Sequence, residues 1–269
     1  MGLIVFFIFG CSQKEKIREN IKLLNHAERE VRLRAGDQLI RIGRPVMADL
    51  TTAVRNGDDT LQVIGIQILS RVGGGEANSL FVDRALGGND FVRIKATEAL
   101  SYINNPQNAA LLVRLISDSL SPIRMYAVSG LGAIADPSTF DTLARKLKDP
   151  VDLVRRNTVL ALSRFKHEKV KDLLIKSMDD PDDNVRFVAI QCLASREGED
   201  LEPIFVAGLR DKNKWVRIKA AEAAGRFRIA LAKPNLLDLI AEGDADEVRA
   251  AQHSLNKITG GRWTFFKEQ

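Results

Sequence analysis

The residue types that most often do chemistry are few in this chain and do not converge. The 269 residues include three histidines, His26, His167 and His253, and two cysteines, Cys11 and Cys192. The histidines fall in no common register. No histidine and cysteine stand at the close spacings that hold a transition metal. Two cysteines so far apart give neither a disulfide framework nor a thiolate metal site. His167-Glu168 is the one His-Glu pair that invites a metal reading, and it stands alone. Gly73-Gly74-Gly75 lacks the following Lys-Ser/Thr of a phosphate loop and reads as a turn. No Gly-x-Ser-x-Gly elbow or other nucleophile motif occurs. No catalytic residue, metal ligand or cofactor is therefore expected.

Arginine and aspartate do recur, and on a strict beat. A Val-Arg or Ile-Arg pair returns at a constant interval, carrying Arg93, Arg124, Arg155, Arg186 and Arg217. The interval is about 31 residues, inside the range of about 20–50 that marks a stack of supersecondary units. Leu61-Gln62 holds the place one period earlier, and Val31-Arg32 lies one position short of a further period before that. An acid recurs as Asp118, Asp149, Asp180, Asp211 and Glu242, six residues ahead of Arg124, Arg155, Arg186, Arg217 and Val248. The planar guanidinium can bridge a carboxylate and loop carbonyls together, so acid and arginine read as an ion-pair and hydrogen-bond ladder along the seam between repeats. The competing use, an arginine row on phosphates, explains the regularity less cheaply.

The elements that carry this ladder follow from the apolar pattern. Three residues after the arginine position stands a small residue (Ala35, Gly65, Ala96, Ala127, Thr158, Ala189, Ala220). Seven after it stands Leu39, Leu69, Leu100, Leu131, Leu162 or Leu193, then Ala224. Positions 0, 4 and 8 share one helical face, and the small residue lets a neighbouring helix come close. Cys192 shares a row with Ala99, Gly130, Ala161 and Ala223 and reads as one more small buried residue. Breakers such as Gly43-Arg44-Pro45, Asn104-Asn105-Pro106 and Asp136-Pro137 end the first helix. A second apolar pair four residues apart, for example Leu112/Ile116 or Leu174/Met178, marks a second helix. Ser121-Pro122 reads as an N-cap with proline at the first helical position.

Paired helices with Asp, then Val-Arg, small and Leu at these offsets resemble HEAT repeats, in the short form found in phycobilisome lyase subunits. The resemblance covers residues 16–258. It implies an all-α fold, an α-α superhelix or HEAT-like solenoid of about eight 31-residue helical-hairpin repeats. It implies a non-enzymatic protein-protein interaction scaffold, with two alternatives. One is a cytoplasmic nucleic-acid binder, as in the HEAT-like DNA glycosylases. The other is a lyase or maturation factor of the phycobilisome type, for which the sequence offers no supporting feature. Deoxyhypusine hydroxylase binds iron through several His-Glu pairs on such repeats, and the single His167-Glu168 does not carry that site over.

In the resemblance, second helices line the concave face. Two residues past each second-helix start the sequence reads Thr52, Asp83, Arg114, Arg145, Lys176, Ala207 and Asp238. Arg114, Arg145 and Lys176 stand in line, with Lys146 and Lys148 close by. At roughly 10 Å between adjacent helices they would form a stripe of about 20 Å, suited to an acidic peptide, an anionic polymer or a lipid headgroup. The overall charge is only +5, from 40 basic and 35 acidic residues, with the signs interspersed. Nucleic acid is disfavoured by the 6% aromatic content, and a monomer is expected.

The termini differ from the array. Leu3 to Phe9 is apolar and far shorter than the roughly 20 residues of a membrane span. With Ile8-Phe9-Gly10-Cys11 it resembles the signal and lipobox of bacterial lipoproteins, which implies cleavage before Cys11 and lipidation of its thiol. Residues 1–10 are then a signal, 11–15 a tether, 16–258 the array and 259–269 a C-terminal capping tail. That places the protein at the cell envelope, lipid-anchored and periplasm-facing, with the cytoplasm as the alternative. No Lys or Arg precedes the apolar run, a departure from the lipoprotein pattern. In the eighth repeat Val248-Arg249 slips one place, no second helix follows, and Trp263, Phe265 and Phe266 are expected to fold back as a cap.

Overall fold

The computed structural model describes residues 2–196 and 200–261, without the side chains of residues 2–12. Among the described residues there are helices and turns and no strand. The chain divides into two compact units, Met1–Thr139 and Phe140–Gln269.

The first unit begins with α1 (Gly2–Leu23). The hairpins α2 (Arg29–Ile42) with α3 (Met47–Asn56), α4 (Asp59–Gly73) with α5 (Asn78–Gly87), and α6 (Asp90–Tyr102) with α7 (Ala109–Leu115) follow, and α8 (Ser121–Ile134) ends it. The second unit repeats the plan. It has α9 (Phe140–Ala144), then α10 (Asp152–Leu162) with α11 (Val170–Lys176), α12 (Asp183–Ala194) with α13 (Glu202–Gly208), α14 (Lys214–Arg226) with α15 (Lys233–Glu242), and α16 (Ala245–Thr259). Each unit thus opens on a helix of the second type and closes on one of the first type.

Packing follows the sequence rows. First helices stack on first helices, α2 on α4, α4 on α6 and α6 on α8, then α10 on α12, α12 on α14 and α14 on α16. Each second helix packs on the first helix that follows it, as α5 does on α6 and α15 on α16. Leu39, Leu69, Leu100, Leu131, Leu162, Leu193 and Ala224 are all fully buried. The small row beside them is what lets the helices approach. A Cβ on Gly65 would stand 2.2 Å from Cγ2 of Val54, and one on Gly225 would stand 2.7 Å from Cα of Ser254. Ile17 and Leu24 of the N-terminal stretch are buried too, where α1 packs on α2 and α3.

Three local readings change. Residues 11–15, expected as a tether, lie within α1. Ser121 is not the cap of α8: Leu120 is, Pro122 falls in the first turn, and the free N–H of Leu120 donates to Asp118 Oδ1 at 3.0 Å. Two second helices of the second unit, α9 and α11, are short and run on into tightened turns. Arg145–Lys148 and Ser177–Asp179 are 3-10 turns. A tightened last turn satisfies carbonyls that a helix end leaves open, and it delivers Asp149 and Asp180 in extended conformation at the loop. The expected cap residues Trp263, Phe265 and Phe266 lie outside the described residues.

Candidate functional site

The arginine ladder reaches in two directions at each rung. Reaching back, Nη1 of four of these arginines donates to the two carbonyls that open its own loop. Arg124 takes Asp118 and Ser119, Arg155 takes Asp149 and Pro150, Arg186 takes Asp180 and Pro181, and Arg217 takes Asp211 and Lys212. Reaching forward, the same guanidinium binds the loop acid of the next repeat. Arg93 pairs with Asp118. Arg155 grips Asp180 with Nε and Nη2 at 2.8 and 2.9 Å, and Arg186 grips Asp211 at 2.8 Å through both nitrogens. Each acid also accepts the N–H two residues on, as Asp180 does from Asp182 and Asp211 from Asn213. Burial is the largest single effect on the Asp180 and Asp211 carboxyls and raises their pKa, but the arginine hydrogen bond, the backbone N–H and the arginine charge together outweigh it and hold both below the usual carboxylate value.

The last rung is different. Glu247 occupies the repeat position of Val216, is buried, and takes Arg217 Nε at 2.6 Å. Its other oxygen accepts from the Asp244 N–H, and Asp244 in turn caps α16, a reciprocal capping box. Burial, the largest single effect, works against the Glu247 carboxylate, yet the Arg217 hydrogen bond, the Asp244 N–H and the Arg217 charge together keep its pKa lowered. Glu242, the loop acid in register, is left exposed. Beside it opens a cleft of about 500 Å³ whose walls include Arg210, Asp238, Glu242, Gly243 and Glu247. With the Asn235 amide turned to accept, Arg210 Nε donates to it at 2.6 Å.

The basic row is divided between the units. Arg114 is exposed on α7 of the first unit; Arg145 and Lys176 are exposed in the second. Arg145 bonds only the Thr142 hydroxyl, at 3.0 Å, and among the described residues neither it nor Lys176 has an ion pair. Lys146 does not stand with them. Its ammonium is turned into the loop, 3.9 Å from the Asp149 carboxylate.

The comparisons with known proteins come out on the fold. The model for HEAT repeats matches residues 108–194 and 173–256, more than half of the chain. This chain is a HEAT-repeat protein. An X-ray structure of Escherichia coli YibA is 20% identical, covering 93% of this chain and 96% of that one with a TM-score of 0.67. An engineered protein is 18% identical over 91% and 79% of the two chains, with a TM-score of 0.56. Human deoxyhypusine hydroxylase in complex with glycerol is 18% identical over 94% and 99%, with a TM-score of 0.41. No curated protein sequence matches.

Within the HEAT array the remaining candidates fall into structural places. His167 stacks on Phe140 with ring centroids 3.8 Å apart, and its Nδ1 accepts the Lys169 N–H. His26 Nδ1 accepts the Glu28 N–H, and His253 is exposed on α16. Among the described residues no three His, Cys, Asp or Glu gather to hold a metal ion. Cys192 is buried; burial pushes its thiol up, against a hydrogen bond with Ser163. The side chain of Cys11 lies outside the described residues. Among those residues no helix is long and apolar enough to cross a membrane. Sequence reasoning missed the cleft at Glu242. Its signal was the slip at Val248-Arg249, which reads as the end of the stack and is also a missing arginine.

Proposed function

We propose that this HEAT-repeat protein is a non-enzymatic scaffold that binds an acidic protein partner through the cations of its second helices. HEAT repeats generally serve scaffold and interaction roles. The observation that carries the finer reading is the contrast among neighbouring cations. Among the described residues Arg145 and Lys176, equivalent positions of successive repeats, face solvent without an ion pair, while the Lys146 ammonium is turned to within 3.9 Å of Asp149. Adjacent hairpins lie roughly 10 Å apart, a spacing that suits acidic side chains along an extended or helical segment. Arg114 belongs to the same row in the first unit.

In-cell crosslinking with mass spectrometry of Arg145→Glu/Lys176→Glu tests this, with Arg114→Glu made separately. The double reversal should lose the partner recovered by the native chain while its thermal melt stays unchanged. Recovery of the same partner at the same yield would refute the reading.

We further propose that Cys11 carries a lipid and that the scaffold works at the bacterial cell envelope. The Ile8-Phe9-Gly10-Cys11 pattern is its support. Two or more acyl chains anchor stably, whereas one alone is marginal. Cys11→Ser should shift the protein from the membrane to the soluble fraction and restore an unmodified N-terminal mass. An unchanged fraction and mass would remove this part alone.

A further inference from the structure

One surface arrangement occurs twice on the first helices, four repeats apart. Val92-Arg93-Ile94-Lys95-Ala96 with Glu98-Ala99 on α6 returns as Val216-Arg217-Ile218-Lys219-Ala220 with Glu222-Ala223 on α14. The first helix before each carries the same glutamine, Gln67 on α4 and Gln191 on α12. In both places the lysine bonds the glutamate of its own helix. A cleft lies between that pair and the glutamine, of about 320 Å³ at α4 and α6 and about 190 Å³ at α12 and α14. The two clefts differ in what crosses them. Arg226 reaches from α14 to the Ala194 carbonyl at 3.1 Å and bridges the walls of the smaller one. Tyr102 holds that register in the larger and is 72% exposed. Among the described residues no hydrogen bond or ion pair between side chains ties α4 to α6 across it.

Charge in the open cleft is uneven. Glu98 is held by Lys95 at 2.8 Å and by the Tyr126 hydroxyl, whose pKa burial and then this carboxylate push up to about 12. Arg71 lines the cleft and is exposed, and among the described residues it has neither a hydrogen bond nor an ion pair. The Gln67 amide is exposed and unpartnered in the same sense. Together these two side chains form a ridge, because they also line a second cleft of about 150 Å³ between α2 and α4. Its walls include Ile40, Ile64, Ile68 and Leu33, the last 56% exposed. Asp37 is exposed on the α2 side of that cleft.

We propose that α2, α4 and α6 form a docking site for an extended segment of a protein partner, with an aliphatic side chain in the smaller cleft and a carboxylate on Arg71. Adjacent first helices lie roughly 10 Å apart, so the cleft and the ridge beside it are about 5 Å apart. Two residues of extended chain rise about 7 Å and put both side chains on one face, enough to reach the far side of the ridge. The free guanidinium can fork a carboxylate there, and the Gln67 amide can both donate to and accept from the segment's backbone. Asp37 repels an acid at the α2 end, which sets the order: aliphatic residue over α2 and α4, acid toward α6. This site lies on first helices and the basic row on second helices, so either proposal can fail without the other.

The test uses the full chain, ¹⁵N-labelled, titrated with the capped peptide Leu-Thr-Glu-Thr, its Leu-Thr-Gln-Thr counterpart and free glutamate, following the amides of Gly36, Gln67 and Glu98. The Glu peptide should bind about tenfold more tightly than the Gln peptide. Arg71→Gln changes an exposed side chain and should bring the Glu peptide down to the affinity of the Gln peptide, leaving the latter and the thermal melt unchanged. Leu33→Ser should weaken both peptides about threefold. Arg145→Glu/Lys176→Glu should alter neither. No response at these amides, equal affinity for the two peptides, or an unaltered Glu-peptide affinity in Arg71→Gln would overturn the site. Loss of binding in Arg145→Glu/Lys176→Glu would move the peptide to the basic row and overturn it too. Free glutamate binding as tightly as the Glu peptide would overturn the assignment to a protein segment.

Discussion

Where the other ladder rungs carry arginine, the second hairpin carries Gln62. Gln62 keeps half of the job, since its amide donates to the Gly57 carbonyl at 2.9 Å. Its Oε1 is buried without a hydrogen-bond partner. The forward acid is missing too, for the residue in that register is Gly87, one period before Asp118. A Cβ at Gly87 meets nothing within 4 Å and the residue closes α5 in ordinary helical geometry, so an aspartate fits there. Gln62→Arg with Gly87→Asp should therefore complete the rung. The expected coupling in a double-mutant cycle of urea midpoints is about 1 kcal/mol in favour of the pair, on the scale of a half-exposed ion pair. Coupling of zero would mean that the rungs seen at Arg155 and Arg186 do not transfer. The arginine and acid rows were legible in the sequence, because both repeat with the period. Their partnership was only half legible. The acid nearest in sequence, just ahead of its arginine, gives that arginine a carbonyl, and the carboxylate comes from the acid of the following loop. A repeat spacing cannot distinguish those two partners, because both lie one seam away.

The elements differ in how openly the sequence declares them. First helices carry Val, small and Leu at positions 0, 4 and 8, and every such Leu from Leu39 to Leu193 is buried. Second helices carry only two apolar positions, so the pattern fixes a face and not an end, and the 3-10 turns at Arg145–Lys148 and Ser177–Asp179 were not foreseeable. Two consequences belong to this scale. Gly225 lets α14 and α16 touch, and alanine there should cost about 1–3 kcal/mol through overpacking against Ser254, read as a lowered urea midpoint. The loops between helices should also make stability depend on acid. Asp180 and Asp211 have folded pKa values below 3.8, the value they take when unfolded. The unfolded chain therefore binds more protons near pH 4, and stability rises with pH there. The contribution is complete above about pH 5 and fades as pH falls below 4 through the lowered values. Urea midpoints should be level from pH 7 to 5 and drop below. Asp211→Asn should lower the midpoint at pH 7, by about 3 kcal/mol for a largely buried partner lost, and flatten the acid slope. An unchanged slope would show that the loop acids are not the titrating groups.

On the scale of the whole molecule, a stack of hairpins has no closed core, and each repeat relies on the one beside it. The final member of such a stack must cover an apolar face while presenting none of its own. In α16 the register changes. Ala251 and Leu255 are buried against α14, whereas Val248-Arg249 lies one place off and Glu247 replaces the core valine. Glu247 holds Arg217 and caps α16 through Asp244, so one buried carboxylate fastens the terminal helix to the seam. Ending the chain after Gly243 would uncover the face of α14 that α16 covers, Gly225 included, and leave Arg217 without its carboxylate. A nearest-neighbour stack should then lose more than one helix. The 1–243 chain is expected to show a lower urea midpoint by far-UV circular dichroism, a broader transition, and larger species in size-exclusion chromatography from the exposed small-residue face. Glu247→Gln in the full chain separates the two contributions, because it weakens the Arg217 bond and keeps the apolar cover. Its midpoint should fall between those of the native and shortened chains. If the 1–243 chain unfolded like the native protein, α16 would be an appendage and not a member of the stack.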